Sequence, residues 1–207
     1  MLAFIHTQKA AGTTLSWILR SSYGLRHLGV DTWRGLPHQK GVALPFRASE
    51  LRYTLKFMPY LKSIHGHRVQ PYADLDQVCP DIRYFTFMRE PLAQCASWYQ
   101  HLVQTQGRID LTFKEYLQNP WVHNRQTQIL AGTQDVNDAI RIIQKKAIFV
   151  GLVEHFDESL ILLKAFVAND LGINYERRGT APKNQIAKAL LADKQTRQML
   201  SKAVQAD

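Results

Sequence analysis

Only two cysteines, Cys79 and Cys95, occur in 207 residues, with no C-x-x-C pair and no histidine at zinc-finger spacing. That scarcity excludes a disulfide-stapled scaffold and a structural zinc module, and both cysteines read as free thiols of a reducing compartment. Long hydrophobic runs are also missing. Residues 2–5 are apolar, but His6 and Lys9 break the run well short of a signal peptide or a membrane span. Stable membrane insertion is therefore not expected, and if residue 1 is the natural start the expected location is cytoplasmic. No repeat, low-complexity tract or Pro/Gly/Ser-rich linker interrupts the chain, so one domain over 1–207 is expected, large enough to bury a core unaided.

Acidic residues are scarce at both ends. Residues 1–70 hold ten basic and two acidic side chains, a net +8; residues 71–175 carry −3, and 176–207 carry +4. Such a field favours an anionic partner without choosing among nucleotide, glycan, nucleic acid and membrane surface.

What is present alternates in pattern. Leu2 to His6 reads as a buried strand, followed by a polar turn and a helix with Leu15, Ile18 and Leu19 on one face. Ile82 to Met88 reads as a second strand, with Pro91 opening the next helix. Ala147 to Leu152 reads as a third, leading to a helix with Phe156, Leu160, Leu163 and Val167 on one side and Gly172 as its stop. Further helices are expected at 112–119, 123–131 and 135–146, with a basic final helix from about Asn184. Residues 24–60 show no clean period. Repeated strand-turn-helix units predict an α/β fold, a parallel sheet flanked by helices, with ligands at the carboxyl ends of the strands.

The first such end is His6-Thr7-Gln8-Lys9-Ala10-Ala11-Gly12-Thr13-Thr14. A turn from a buried strand into a helix aims backbone N–H groups at one point and suits a phosphate or sulfate. Gly12 permits close approach, Thr13 and Thr14 offer hydroxyls, and Lys9 supplies a mobile charge. The nucleotide-hydrolysing P-loop places its lysine after a second glycine, which this turn lacks. The segment resembles the 5′-phosphosulfate loop of the membrane-associated carbohydrate sulfotransferases, with Gln8 where that family commonly has proline. Phe85 to Pro91 with Ser97 resembles the same family's 3′-phosphate motif, Arg89 preceding Ser97 by eight residues. Asn124-Arg125-Gln126 with Leu130-Ala131-Gly132, and Gly151 to Leu160, extend the likeness, and Pro182-Lys183-Asn184 resembles a basic loop that closes over the nucleotide.

The resemblance implies a P-loop-like sheet and transfer of a sulfuryl group from 3′-phosphoadenosine 5′-phosphosulfate to a hydroxyl, of a sugar or glycan. It places Lys9, Ala10, Ala11, Gly12, Thr13, Thr14, Arg89, Ser97 and Lys183 on the nucleotide, with Lys9 also acting on the transferring group. No metal and no nucleic acid is implied. For the base, Ser63-Ile64-His65-Gly66-His67 resembles the G-H segment of the uronyl 2-O-sulfotransferase branch, which makes His67 the first candidate and His65 the second. On an extended segment both would face one side. Glu154 is an alternative base, while Glu90 suits a helix start. Two other classes compete: a small-molecule or nucleotide kinase, disfavoured by the missing P-loop spacing, and a non-catalytic binder of anionic glycans.

Overall fold

The apolar run at the amino end forms β1, Leu2–Ile5, and every residue of it is buried. A strand covered on both faces needs no polar alternation, which is why it reads as a continuous apolar run. The structure, a computed structural model, describes residues 1–32, 44–176, 178 and 185–207. Lys183 lies outside the described residues, as does the rest of 179–184.

Five parallel strands are described: β1, β2 (His27–Gly29), β3 (Ser63–Gly66), β4 (Arg83–Met88) and β5 (Phe149–Leu152), in the order β2-β3-β1-β4-β5. Nine α-helices are described, besides short 3-10 turns: α1 (Gly12–Tyr23), α2 (Ala48–Phe57), α3 (Pro91–Gln104), α4 (Phe113–Gln118), α5 (Arg125–Ala131), α6 (Val136–Lys145), α7 (Phe156–Phe166), α8 (Gln185–Ala192) and α9 (Lys194–Ala203). Successive strand residues point to opposite faces, so β1 divides its side chains between two cores. Leu2 and Phe4 pack with Phe85 and Phe87 under Leu15, Ile18 and Leu19 of α1 and Leu160 and Leu163 of α7. Ala3 and Ile5 pack with Ile64 and Tyr84 against Leu51 of α2, Ile129 and Leu130 of α5, and Ala139 of α6. Helices therefore cover both faces, and the fold is a P-loop-like parallel α/β sheet as expected. Cys79 and Cys95 are both free, and burial pushes the Cys95 thiol up to about 11.

Three local readings are corrected. β2 and β3 lie where no strand was read, because each holds a single apolar residue, Leu28 or Ile64, among His, Gly and Ser. α7 ends at Phe166 with Val167 as its cap, not at Gly172, which instead donates its N–H to Ser22 Oγ at 3.0 Å. The final basic helix is two helices, with Asp193 between them capping α9 through Thr196 N–H. No helix among the described residues is long and apolar enough to cross a membrane.

Candidate active site

β1 is flanked by β3 and β4, so the three adjacent strand ends deliver His67, the His6–Ala11 turn and Arg89 to one side of the sheet. A cleft of about 490 Å3 opens there. Lys9, Ala11, Gly12, Thr13, Thr14, His67, Arg89 and Ser97 all line it. Ala10 and His65 do not.

The turn holds two non-glycine residues at positive φ, Lys9 at 61° and Ala11 at 58°. Such conformations persist only where neighbours enforce them. Three contacts from other elements do so: Gln94 Nε2 donates to Gln8 O at 2.9 Å, Arg125 Nε donates to Gln8 Oε1 at 3.3 Å, and an Arg89 guanidinium N–H donates to Lys9 O at 3.3 Å. Beneath them Thr86 Oγ1 donates to Ile5 O at 2.9 Å and sits 3.3 Å from Thr7 Oγ1. Ala11 caps α1 without a side-chain bond, so the first N–H groups of that helix face the cleft. Gly12 makes room for a side chain: a Cβ on it would lie 1.7 Å from His6 Nε2. Thr13 is exposed at the cleft, whereas the Thr14 hydroxyl donates to Arg178 O at 3.2 Å and accepts Arg178 N–H at 3.1 Å. Thr14 thus tethers Arg178 over the cleft.

Arg89 is held by its backbone. Gln126, 1% exposed, accepts Arg89 N–H at 2.9 Å and donates to Arg89 O at 2.9 Å. This gives the Asn124-Arg125-Gln126 segment a physical role. Glu90 caps α3 by accepting from Leu92 and Ala93 N–H, and Glu154 accepts Glu90 N–H at 3.0 Å. Both carboxylates serve the start of α3, and neither lines the cleft.

Gly66, at φ 152°, turns the chain after β3, and a Cβ there would strike Asp31 Oδ1 at 2.6 Å. Asp31 uses that space to accept His67 N–H at 2.7 Å and Arg68 N–H at 3.2 Å. The turn separates the two histidines expected to share a face. His65 stacks on His27 at 4.8 Å, while His67 stacks on His6 at 4.1 Å. His67 Nδ1 lies 2.8 Å from His6 O. A carbonyl can only accept, so Nδ1 carries the hydrogen and neutral His67 presents the Nε2 lone pair.

His6, Asp31 and His67 also place three potential metal ligands within 4.8 Å of one another. Both Asp31 oxygens and His67 Nδ1 are hydrogen-bonded, and rings stacked at 24° cannot aim two in-plane lone pairs at one point.

The rest of the cleft escaped the sequence reading. Trp98 and His101 line it from α3, Val153 from the turn after β5, Phe156 from the start of α7, and Tyr175 and Arg178 from the chain beyond. His101 lies four residues after Ser97, one helical turn along the same face, a signal the sequence did contain. Arg178 Cζ sits 4.7 Å from the Trp17 ring centroid. The cleft lining includes Lys9, Arg89, Arg178 and three histidines and no carboxylate among the described residues. Burial, then Arg89, lowers the pKa of Lys9; burial, then Lys9, lowers that of His101; burial lowers that of Arg89 against the pull of Glu154 and Glu90. Burial, then His67, holds His6 far below the usual histidine range.

No family model matches the chain, and no curated protein matches it. Among solved structures, a sulfotransferase from Alicyclobacillus acidocaldarius is similar over 99% of this chain and 96% of its own, with 15% identity and a TM-score of 0.48.

Proposed function

We propose that the protein transfers a sulfuryl group from 3′-phosphoadenosine 5′-phosphosulfate to a hydroxyl, with a sugar or glycan as acceptor. The observation that carries this reading is a cleft at the β1–α1 turn lined by cations, histidines and helix N–H groups and by no carboxylate among its described residues. A kinase that holds magnesium on carboxylates has no such groups in this lining. The nucleotide supplies the sulfuryl group and leaves as a bisphosphate.

Lys9, Thr13 and the first N–H groups of α1 hold the 5′ end, with Lys9 stabilising charge on the bridging oxygen. Arg89 and Ser97 hold the 3′-phosphate, where a guanidinium fork fits a terminal phosphate. Phe156 and Tyr175, which line the cleft with their rings edge to face at 5.1 Å, offer apolar aromatic surface to the adenine. His67 Nε2 accepts the acceptor hydroxyl proton as its oxygen bonds to sulfur. His6 O and Asp31 orient His67.

A thermal-shift series with 3′-phosphoadenosine 5′-phosphate, adenosine 5′-phosphate and ATP tests the donor site, because selective binding raises stability by mass action. The first should stabilise most. Equal shifts would remove the 3′-phosphate assignment. Single-turnover transfer from sulfur-labelled donor to a panel of glycans and small hydroxyl compounds then tests the chemistry, and His67→Ala should slow it about a hundred- to ten-thousand-fold with donor binding intact.

A further inference from the structure

The end of the sheet opposite the cleft carries a feature that sulfuryl transfer does not use. β2 and β3 start side by side, His27 in register with Ser63, and Lys62 N–H donates to Arg26 O at 2.8 Å. The segment leaving α2 therefore lies against the turn before β2. Four apolar side chains project there: Leu25 is 95% exposed, Tyr60 79%, Phe57 71% and Tyr53 59%. Tyr53 and Phe57 are one turn apart on α2, their rings 5.0 Å between centroids, and Leu51 on the other side of the helix is fully buried. Arg52 and Lys56 form the adjoining ridge, also one turn apart, and both are exposed, as is Arg26. Between residues 44 and 62 the sequence has one carboxylate, Glu50, and it is bound by Arg68 at 2.7 Å. Lys62 is paired with Asp170. Arg26, Arg52 and Lys56 have no carboxylate partner among the described residues.

An exposed apolar cluster of this kind marks an interaction surface. Its side chains project rather than line a groove, and cations stand between them. A lipid headgroup layer accepts such projections without a complementary cavity, takes tyrosine rings at its interface and attracts the cations if it is anionic. We infer that this face, formed by α2, Tyr60 and the Leu25–Arg26 turn, docks the protein peripherally on an anionic membrane surface. Because the cleft lies at the opposite ends of the strands, docking leaves it open to solvent. The inference stands independently of the reaction assigned to the cleft.

Co-sedimentation of the full chain with phosphatidylcholine vesicles, with and without phosphatidylserine, tests it. The protein should partition to the serine-containing vesicles only. Phe57→Ser with Tyr60→Ser should lower partitioning at least about tenfold. Arg52→Glu with Lys56→Glu should do the same, since each basic residue near an anionic surface is worth about a fivefold change. Both pairs are exposed, so melting temperatures should match the parent, which separates lost docking from lost folding. Absence of vesicle binding, or unchanged binding by both variants, would overturn the inference. So would loss by the same variants of dextran sulfate binding without vesicle binding, or of lipid-free self-association, which would identify a soluble polyanion or a second copy as the partner.

Discussion

Replacing Gly12 by alanine should destabilise the protein through His6, and the structure fixes both the cause and its remedy. The added Cβ would lie 1.7 Å from His6 Nε2 and 2.1 Å from Cδ2, whereas non-bonded atoms settle near 3.5 Å, so the ring must retreat by about 2 Å. Retreat is obstructed on both sides, by Phe4 at 5.5 Å and by His67 at 4.1 Å between ring centroids. Overpacking of this kind costs about 1–3 kcal/mol, which in a chain of this size lowers the melting temperature by roughly 2–12 °C. Gly12 is not at positive φ, so backbone strain adds nothing to the loss. The discriminating experiment is a double-mutant cycle by urea denaturation. His6→Ala removes the atoms struck, so Gly12→Ala should cost far less in that background, giving a coupling of about 1–3 kcal/mol. Additive losses would refute the steric argument and return Gly12 to a role in approaching an anion.

Two further outcomes are expected. Gln126→Leu should destabilise by roughly 2–4 kcal/mol and weaken bisphosphate nucleotide binding, because it leaves both backbone groups of Arg89 without their partner; parallel calorimetry of stability and affinity checks this, and unchanged affinity would mean that the clamp does not position Arg89. Burial, then His65 and Arg20, pushes the His27 pKa down from 6.5 to about 3. The unfolded chain then binds more protons, so this part of the stability is complete above pH 6.5 and is lost as pH falls toward 3. His27→Gln should flatten the fall in melting temperature over that range, and an unchanged slope would count against the assignment.

The centre of the sheet was legible because β1 is apolar throughout and β4 carries Tyr84, Phe85, Phe87 and Met88, and the turn between β1 and α1 announced itself by lysine, glycine and threonines after such a run. β2 and β3 were hidden because each has one apolar residue and histidines whose burial depends on stacking partners distant in sequence. Arg89 and Ser97 were readable as strand end and helix face, and His101 was readable by the same spacing. Arg178 was not, since Thr14 binds it across 164 positions. The alternation rule failed for His65 and His67 for one reason: Gly66 lets Asp31 sit where a side chain would otherwise extend the strand.

The proposed base, the proposed phosphate turn and Arg89 hang from the tips of β3, β1 and β4, which are consecutive hydrogen-bonded neighbours. Backbone pairing fixes neighbouring strands about 4.8 Å apart, so the outer two tips stand roughly 10 Å apart, a ruler that side-chain substitution cannot stretch. If the proposed roles hold, drift in acceptor choice would have to occur in the connecting segments, while the gauge between His67 and Arg89 stayed constant across any descendants of this chain.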